Sequence, residues 1–190
     1  MSASAVATPL TRVFRRFRRD DSGSAAVDFS LVAVPFFALF FAIVESGLVF
    51  FGSQVLETAV QDSARPIFTH QLQDSGLTAA QQEQQFKTDL CNRVAILMSC
   101  GSGGVEYDVK YYQAGTAINL TDPITNGAYD NTGFGFVAPP AGSDGTLVVR
   151  AYYQWPLIVT GLGYNIANIN RAGVNSKRLL AATVAFHIEP

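Results

Sequence analysis

One long apolar stretch, from Phe29 to Phe51, constrains the fold of this chain more than any other feature. Glu45 is its one charged residue. At about 1.5 Å of rise per residue, an α-helix of this length extends about 34 Å, which exceeds a hydrocarbon core of roughly 30 Å. The stretch is therefore long enough to cross a membrane.

Positive charge is concentrated before this stretch, and no comparable cluster follows it. Because basic segments stay on the cytoplasmic side, we expect a cytoplasmic N-terminus and, in a bacterium, a periplasmic C-terminal part. The expected layout is a basic cytoplasmic leader over residues 1–23, a transmembrane helix over 24–52 and a periplasmic domain over 53–190, with inner-membrane lipid as a partner. The arginines of the leader are Arg12, Arg15, Arg16, Arg18 and Arg19.

Three interpretations of the apolar stretch are open. A cleaved secretory signal also has a basic region before its apolar core, but that core usually has about 7–15 residues, and no clear A-x-A site follows here. A plain signal anchor needs only the arginines and the apolar length. The third interpretation is a helix that is retained after a cut on its cytoplasmic side.

The third interpretation rests on the residues that lead into the stretch. Gly23 is followed by four residues and then by Asp28 and Phe29, at the head of the apolar helix. This pattern resembles the cleavage site of type IV prepilins, with Asp28 in place of the usual Glu. The run from Gly23 to Gly47 resembles the TadE-like pseudopilins, accessory proteins of the tight-adherence (Tad) pilus, and the resemblance covers about residues 12–70.

The resemblance implies a structural function. A prepilin peptidase would cut between Gly23 and Ser24, and the mature protein would act as a minor pilin or pseudopilin in assembly of a Tad-type (Flp) pilus or related secretion apparatus. Its partners would be other pilin or pseudopilin subunits, and the head of the helix, Asp28 and Phe29, would set its register among them. Asp28 would pair with the N-terminal ammonium group of a neighbour.

Some of this stands without the resemblance. Gly23 has no Cβ, so the backbone there can lie extended in a narrow peptidase site. Asp28 would also complement the helix dipole in the first turn of a helix beginning at Ser24, which is a sufficient role for an acid at the membrane interface. Both interpretations of Asp28 are open.

Glu45 is the unusual residue of the apolar stretch. A carboxylate at mid-membrane costs at least about 2.5 kcal/mol, so it is expected to face protein, water or a partner. Two explanations are open: Glu45 extends to the outer interface, or it contacts a partner helix during assembly. Ala38, Ala42 and Ser46 form a stripe of small residues at helical spacing, which would let another helix approach closely.

The rest of the chain reads as one α+β domain. The first helix is predicted to continue to Pro66, which should end or kink it. Residues 78–98 are predicted to form a second, amphipathic helix with Thr78 as its N-cap, packed on a small antiparallel sheet. The overall layout is pilin-like by resemblance. Three segments alternate with period two and are predicted strands: 105–111, 147–155 and 180–188.

A long turn-rich loop, 113–145, separates the first two predicted strands. Phe134 to Val137 is a candidate fourth strand within it. Glu106 and Asp108, two residues apart on the first strand, are expected to be solvated charges. From Gln54 onward, 8 Lys or Arg residues stand against 11 Asp or Glu residues, and this acidic balance disfavours nucleic acid as a partner.

Cys91 and Cys100 are the two cysteines, and in an exported domain an even pair predicts a disulfide. Neither a metal site nor a cofactor is expected, because no second pair and no spaced histidines accompany them. The histidines His70 and His187 form no recognisable catalytic motif, so no enzyme activity is expected and an exported hydrolase is disfavoured. The alternative function is a membrane-anchored periplasmic binding module that uses the 113–145 loop.

Overall fold

The computed structural model describes residues 23–162, 164–173 and 175–189. The architecture is α+β, as the sequence predicts: a long N-terminal apolar helix, a second helix and small antiparallel sheets. The arginine cluster of the predicted leader lies outside the described residues. The helices are α1 (Ser24–Phe68) and α2 (Ala79–Val94), and the strands are β1 (Glu106–Gln113), β2 (Ile124–Thr125), β3 (Ala128–Tyr129), β4 (Gly145–Pro156) and β5 (Lys177–Ile188).

The chain divides into two compact units between Phe41 and Ala42, within α1. In the first unit the large apolar side chains of α1 are exposed. In the second unit, α1 buries one side and exposes the others. From Val49 onward the buried side is apolar except for Ser63, and it includes Leu56, Ala59, Val60, Ala64 and Ile67.

Pro66 lies in the last turn of α1, and the helix ends two residues later at Phe68. The prediction that Pro66 would end or kink α1 therefore places the C-terminal end of this helix within two residues of the observed one. Proline removes a backbone donor but leaves the following turn free to form, which explains the small overrun.

Helix α2 begins with a complete capping box. The Thr78 hydroxyl accepts from the backbone N–H of Gln81, and the Gln81 side chain accepts from the backbone N–H of Thr78. The predicted helix end at residue 98 is wrong, because α2 ends at Val94 and a turn follows. Gln82 lies on the core side of α2, where it is buried and donates to the Leu77 carbonyl at 3.1 Å.

The main sheet has the strand order β1–β4–β5, and both pairs are antiparallel. Val109 of β1 lies opposite Val149, which in turn lies opposite Val184 of β5. The face carrying these valines packs with α1 and α2 in one hydrophobic core. All three predicted strands are confirmed, and every observed end lies within three residues of the predicted one.

One glycine allows α1 to approach the sheet closely. A Cβ built on Gly52 would lie 2.9 Å from Trp155 Cζ3 and 3.2 Å from Leu180 Cδ1. The Trp155 ring therefore occupies the space that a side chain at position 52 would fill. This contact fixes the end of β4 against α1 at the level of Gly52.

The long loop covers the other face of the sheet. It includes a hairpin of β2 and β3 whose turn residues, Asn126 and Gly127, have φ values of 54° and 75°, as two-residue hairpin turns require. The predicted fourth strand is wrong: Phe136 forms a single parallel bridge with Val109. Because this loop covers β1, the expectation that Asp108 is solvated is also wrong, and its side chain is 1% exposed.

Candidate functional site: the apolar helix and the loop at Glu45

The Gly23–Ser24 peptide bond lies where α1 begins. Gly23 is exposed, and a Cβ added to it would meet no atom of the described residues within 4 Å. Asp28 and Phe29 follow in the first turns of α1, and both are exposed. Within the described residues, neither the Gly23 backbone nor the Asp28 side chain is covered.

The exposed apolar surface of α1 extends to Phe51. Among the described residues, one helix is long and apolar enough to cross a membrane, and it is α1. Polar side chains become exposed from Gln54 onward. On the exposed side of the second unit, α1 thus changes from apolar to polar between Phe51 and Gln54.

Glu45 does not point away from the protein, and its side chain is 6% exposed. Its carboxylate accepts hydrogen bonds from the backbone N–H groups of Ile158 and Val159, the latter at 3.2 and 3.3 Å to the two oxygens. Val159 begins a short 3₁₀ helix, Val159–Leu162. The first N–H groups of a helix have no acceptor within it, so Glu45 supplies the acceptor.

Part of the predicted stripe of small residues on α1 contacts the chain segment that follows β4. Ala42 is buried, and the Ser46 hydroxyl donates to the Ala42 carbonyl at 2.8 Å. Ser46 Oγ also lies 3.0 Å from the Tyr164 hydroxyl. Ser46 therefore contacts the chain's own loop, while Ala38, in the first unit, is half-buried.

A groove of about 410 Å³ lies beside this loop, between α1 and β5. Ser46, Val49 and Phe50 of α1 form one wall, and Tyr164 and Arg178 contribute to the other. The lining is largely apolar and includes two serines, one tyrosine and one arginine. Its chemistry suits an acyl chain or an apolar side chain better than a polar metabolite.

A second polar centre lies on the far face of the sheet. Asp108 and Arg150 are both buried, and Arg150 Nη2 donates to Asp108 Oδ2 at 2.6 Å. Arg150 also donates to the Thr121 carbonyl at 2.8 Å, and the Gly135 N–H donates to Asp108 at 3.1 Å. The pair therefore holds two points of the 113–145 loop on the sheet.

Two tyrosines add to the attachment of the loop and of α2. Tyr129 donates to Glu106 at 2.8 Å, and Tyr107 donates to Glu83 of α2 at 2.9 Å. Burial, followed by the adjacent carboxylate, raises the pKa of both tyrosines well above the usual value of about 10. Both hydroxyls are therefore donors at neutral pH.

The predicted disulfide is present. Cys91 on α2 is bonded to Cys100, with Cα atoms 5.8 Å apart. The bond ties the end of α2 to the turn that precedes β1. It is a structural link, because Cys100 packs against the hydrophobic core.

The histidines and the aspartates of the long loop lie in turns or at the surface of the protein. Within the ranges that the structure describes, no three His, Cys, Asp or Glu side chains are grouped to hold a metal ion. Asp122 and Asp130 accept from nearby backbone N–H groups in turns. His187 is exposed, 3.7 Å from Asp144, and His70 has a φ of 59° in the turn after α1.

Sequence reasoning missed the Glu45 acceptor site and the Asp108–Arg150 pair. The partners of Glu45 are backbone groups, which carry no sequence signal. For Asp108 a signal existed: Arg150 sits at an alternating position of a strongly apolar strand, Leu147 to Trp155, where a charge is unexpected. An isolated charge on such a strand predicts a buried partner.

Family comparison gives one match. Residues 23–65 match the family model described as TadE-like protein. The match begins at Gly23 and ends three residues before the end of α1. Comparison with curated proteins and with solved structures gave no match. The resemblance seen in the sequence is thereby confirmed: residues 23–65 of this chain are similar to the TadE-like family.

Proposed function

We propose that this protein is a membrane-anchored pseudopilin that takes part in assembling a Tad-type pilus or a related secretion apparatus. The observation that carries the proposal is the TadE-like match, which begins at Gly23 and covers the apolar helix. The exposed apolar surface of α1 supports an anchor in the inner membrane. The chain crosses once, with residues 1–23 in the cytoplasm, a span within 24–52 and the domain from residue 53 in the periplasm.

The proposed processing step is hydrolysis of the Gly23–Ser24 bond by a prepilin peptidase. The exposure of Gly23, and the open space that a Cβ added to it would meet among the described residues, support access to this bond. Asp28, exposed one turn into the mature helix, then pairs with the new N-terminal ammonium group of a neighbouring subunit. Glu45 is already bonded within its own chain, so we assign intersubunit pairing to Asp28.

N-terminal sequencing of the mature protein tests the processing step. We expect the mature chain to start at Ser24, and an intact Met1 or a start beyond Phe51 would refute it. Gly23→Leu should block the cut, because the added side chain obstructs an extended backbone in the peptidase site. Gly47→Leu is the matched control: it also adds a side chain where no atom lies within 4 Å, and it should leave processing unchanged.

The assembly role has a separate test. Asp28→Asn should leave membrane insertion and the mature N-terminus unchanged but reduce recovery of the protein with other pilin or pseudopilin subunits, since the charge pair is lost. Asp28→Glu should retain recovery. If Asp28→Asn copurifies with these subunits as well as the unaltered chain does, the pairing role of Asp28 is wrong.

A further inference from the structure

The end of β4 and the loop that follows it run back along α1 into its apolar section. Trp155 packs against Gly52, and three residues later the backbone of Ile158 is bonded to Glu45. Seven residues of helix separate these two points on α1, which is about 10 Å along the axis. The loop therefore lies beside the part of α1 whose other sides expose Val44, Leu48 and Phe51.

The loop residue whose backbone is bonded to Glu45, Ile158, has an apolar side chain that does not pack in the core. Ile158 is 89% exposed, although both its neighbours, Leu157 and Val159, are at least partly buried. An isoleucine side chain exposed to water gains no free energy of burial, whereas its transfer into a lipid environment is favourable. Its location beside the exposed apolar residues of α1 makes the two surfaces continuous.

The polar groups of the loop are suited to the same environment. Backbone N–H groups near the hydrocarbon region must have acceptors, and an unpaired carboxylate there is costly. Glu45 and the N–H groups of Ile158 and Val159 satisfy each other. These hydrogen bonds therefore offset both the cost of unpaired N–H groups and the cost of an unpaired carboxylate.

Aromatic and basic side chains lie near this loop, at the end of β4 and the start of β5. Trp155 lies opposite Arg178 in the sheet, and Pro156 lies opposite Lys177. Tyr164 is exposed beside Ser46. From Trp155 to Ile188 the chain has three basic residues and no acidic one, although the region after Gln54 is acidic as a whole. Tryptophan, tyrosine and basic residues next to an apolar surface are typical of a membrane interface.

We propose that this edge of the domain enters the outer leaflet of the membrane that α1 crosses. Ile158 lies among the acyl chains, Trp155 and Tyr164 lie at the headgroup boundary, and Lys177 and Arg178 face anionic headgroups. The inference rests on the proposed membrane anchor, and it adds a second lipid contact that fixes the domain against the bilayer.

Spin labels on single cysteines test this immersion in the full chain, reconstituted in vesicles of phosphatidylethanolamine and phosphatidylglycerol. The native cysteines are bonded to each other and do not react without a reductant. The label sites are Ile158→Cys and, as matched control, Val137→Cys. Val137 is also exposed and apolar. Its backbone N–H donates to the Val109 carbonyl, and Val109 lies opposite Val149 of β4. Val149 is about 20 Å along that strand from Trp155, so Val137 is a control far from the proposed membrane contact. Phe36→Cys reports on the helix itself.

Collision of each label with oxygen, which is enriched in lipid, is compared with collision with a water-soluble nickel chelate. We expect the ratio at position 158 to exceed that at position 137 severalfold and to approach that at position 36. If position 36 is in lipid but position 158 matches position 137, the immersion is wrong and the anchor stands. If position 36 also contacts water, the anchor and this inference both fall.

The basic residues have their own test. The double substitution Lys177→Gln and Arg178→Gln should move the label at position 158 toward water in vesicles that contain phosphatidylglycerol, because it removes the headgroup contacts. In pure phosphatidylcholine the same substitution should have little effect. An equal ratio for both proteins in phosphatidylglycerol would overturn the assignment of Lys177 and Arg178 to anionic headgroups.

Discussion

Asp108 and Arg150 lie directly opposite each other on β1 and β4, and their side chains are joined at 2.6 Å with exposures of only 1% and 4%. Both side chains also bond to the 113–145 loop: Arg150 donates to the Thr121 carbonyl, and Asp108 accepts from the Gly135 N–H. The Arg150 guanidinium also lies 5.8 Å from the centre of the Phe134 ring. The pair therefore converts a long polar loop into a fixed cover of the sheet.

Removing one member of this pair should strongly destabilise the domain. Asp108→Ala leaves a buried, unpaired guanidinium, and we expect a loss of about 3–5 kcal/mol in the free energy of unfolding. Urea unfolding in detergent, followed by Trp155 fluorescence, measures it. The control is Asp89→Ala, which breaks the exposed pair with Arg93 and should cost no more than about 1 kcal/mol. Equal losses would contradict the assigned role of Asp108.

Glu45 should be required for the local order of the 3₁₀ helix that follows β4. Glu45→Leu removes the acceptor of two backbone N–H groups, each bonded to a charged oxygen, an interaction worth about 1.5–3 kcal/mol. Hydrogen exchange in the peptide containing Ile158 and Val159 should accelerate about tenfold or more. Glu57→Leu, an exposed glutamate of the same helix, should leave that exchange rate unchanged.

Two glycines of α1 should respond in opposite directions to the same substitution. Gly47→Ala meets no atom within 4 Å and should stabilise the helix by up to about 1 kcal/mol. Gly52→Ala places a methyl group 2.9 Å from Trp155 and should destabilise the domain by about 1–3 kcal/mol. The unfolding midpoints of the two variants decide this, and a stabilised Gly52→Ala would show that Trp155 can move aside.

The disulfide should contribute measurably to stability. The bond between Cys91 and Cys100 closes a short loop, for which chain entropy predicts about 3 kcal/mol or less. Reducing agent should lower the unfolding midpoint of the unaltered chain and leave that of the Cys91→Ser, Cys100→Ser double variant unchanged. A midpoint insensitive to reduction would mean that the bond adds no stability.

Stability should fall in alkaline solution because of Tyr107 and Tyr129. Burial, together with a hydrogen-bonded carboxylate, raises the pKa of each hydroxyl. In the unfolded chain these tyrosines ionise near pH 10, so above that pH the unfolded state binds fewer protons than the folded state. Their contribution is thus complete below about pH 10 and is lost as the pH rises further. The double Tyr→Phe variant should show a smaller decline between pH 9 and 11 in urea unfolding.

The features that depend on local pattern follow from the sequence alone. The apolar length from Phe29 to Phe51, the spacing of Gly23 and Asp28, the cap at Thr78 and the alternation of three strands are each readable within one segment. They gave the α+β class, the second helix, the sheet and the resemblance that the match over residues 23–65 confirms. Helix and strand periodicities are local, so a single sequence suffices for them.

The bonding partners of the charged residues within these patterns follow from the tertiary structure. Glu45 meets Val159 across 114 residues, and Asp108 meets Arg150 across 42. A carboxylate in an apolar helix and one on an alternating strand are costly to bury alone, and the sequence shows that cost without showing the acceptor or donor that offsets it. The fold supplies both partners, because it brings a loop back along α1 and lays another across the sheet.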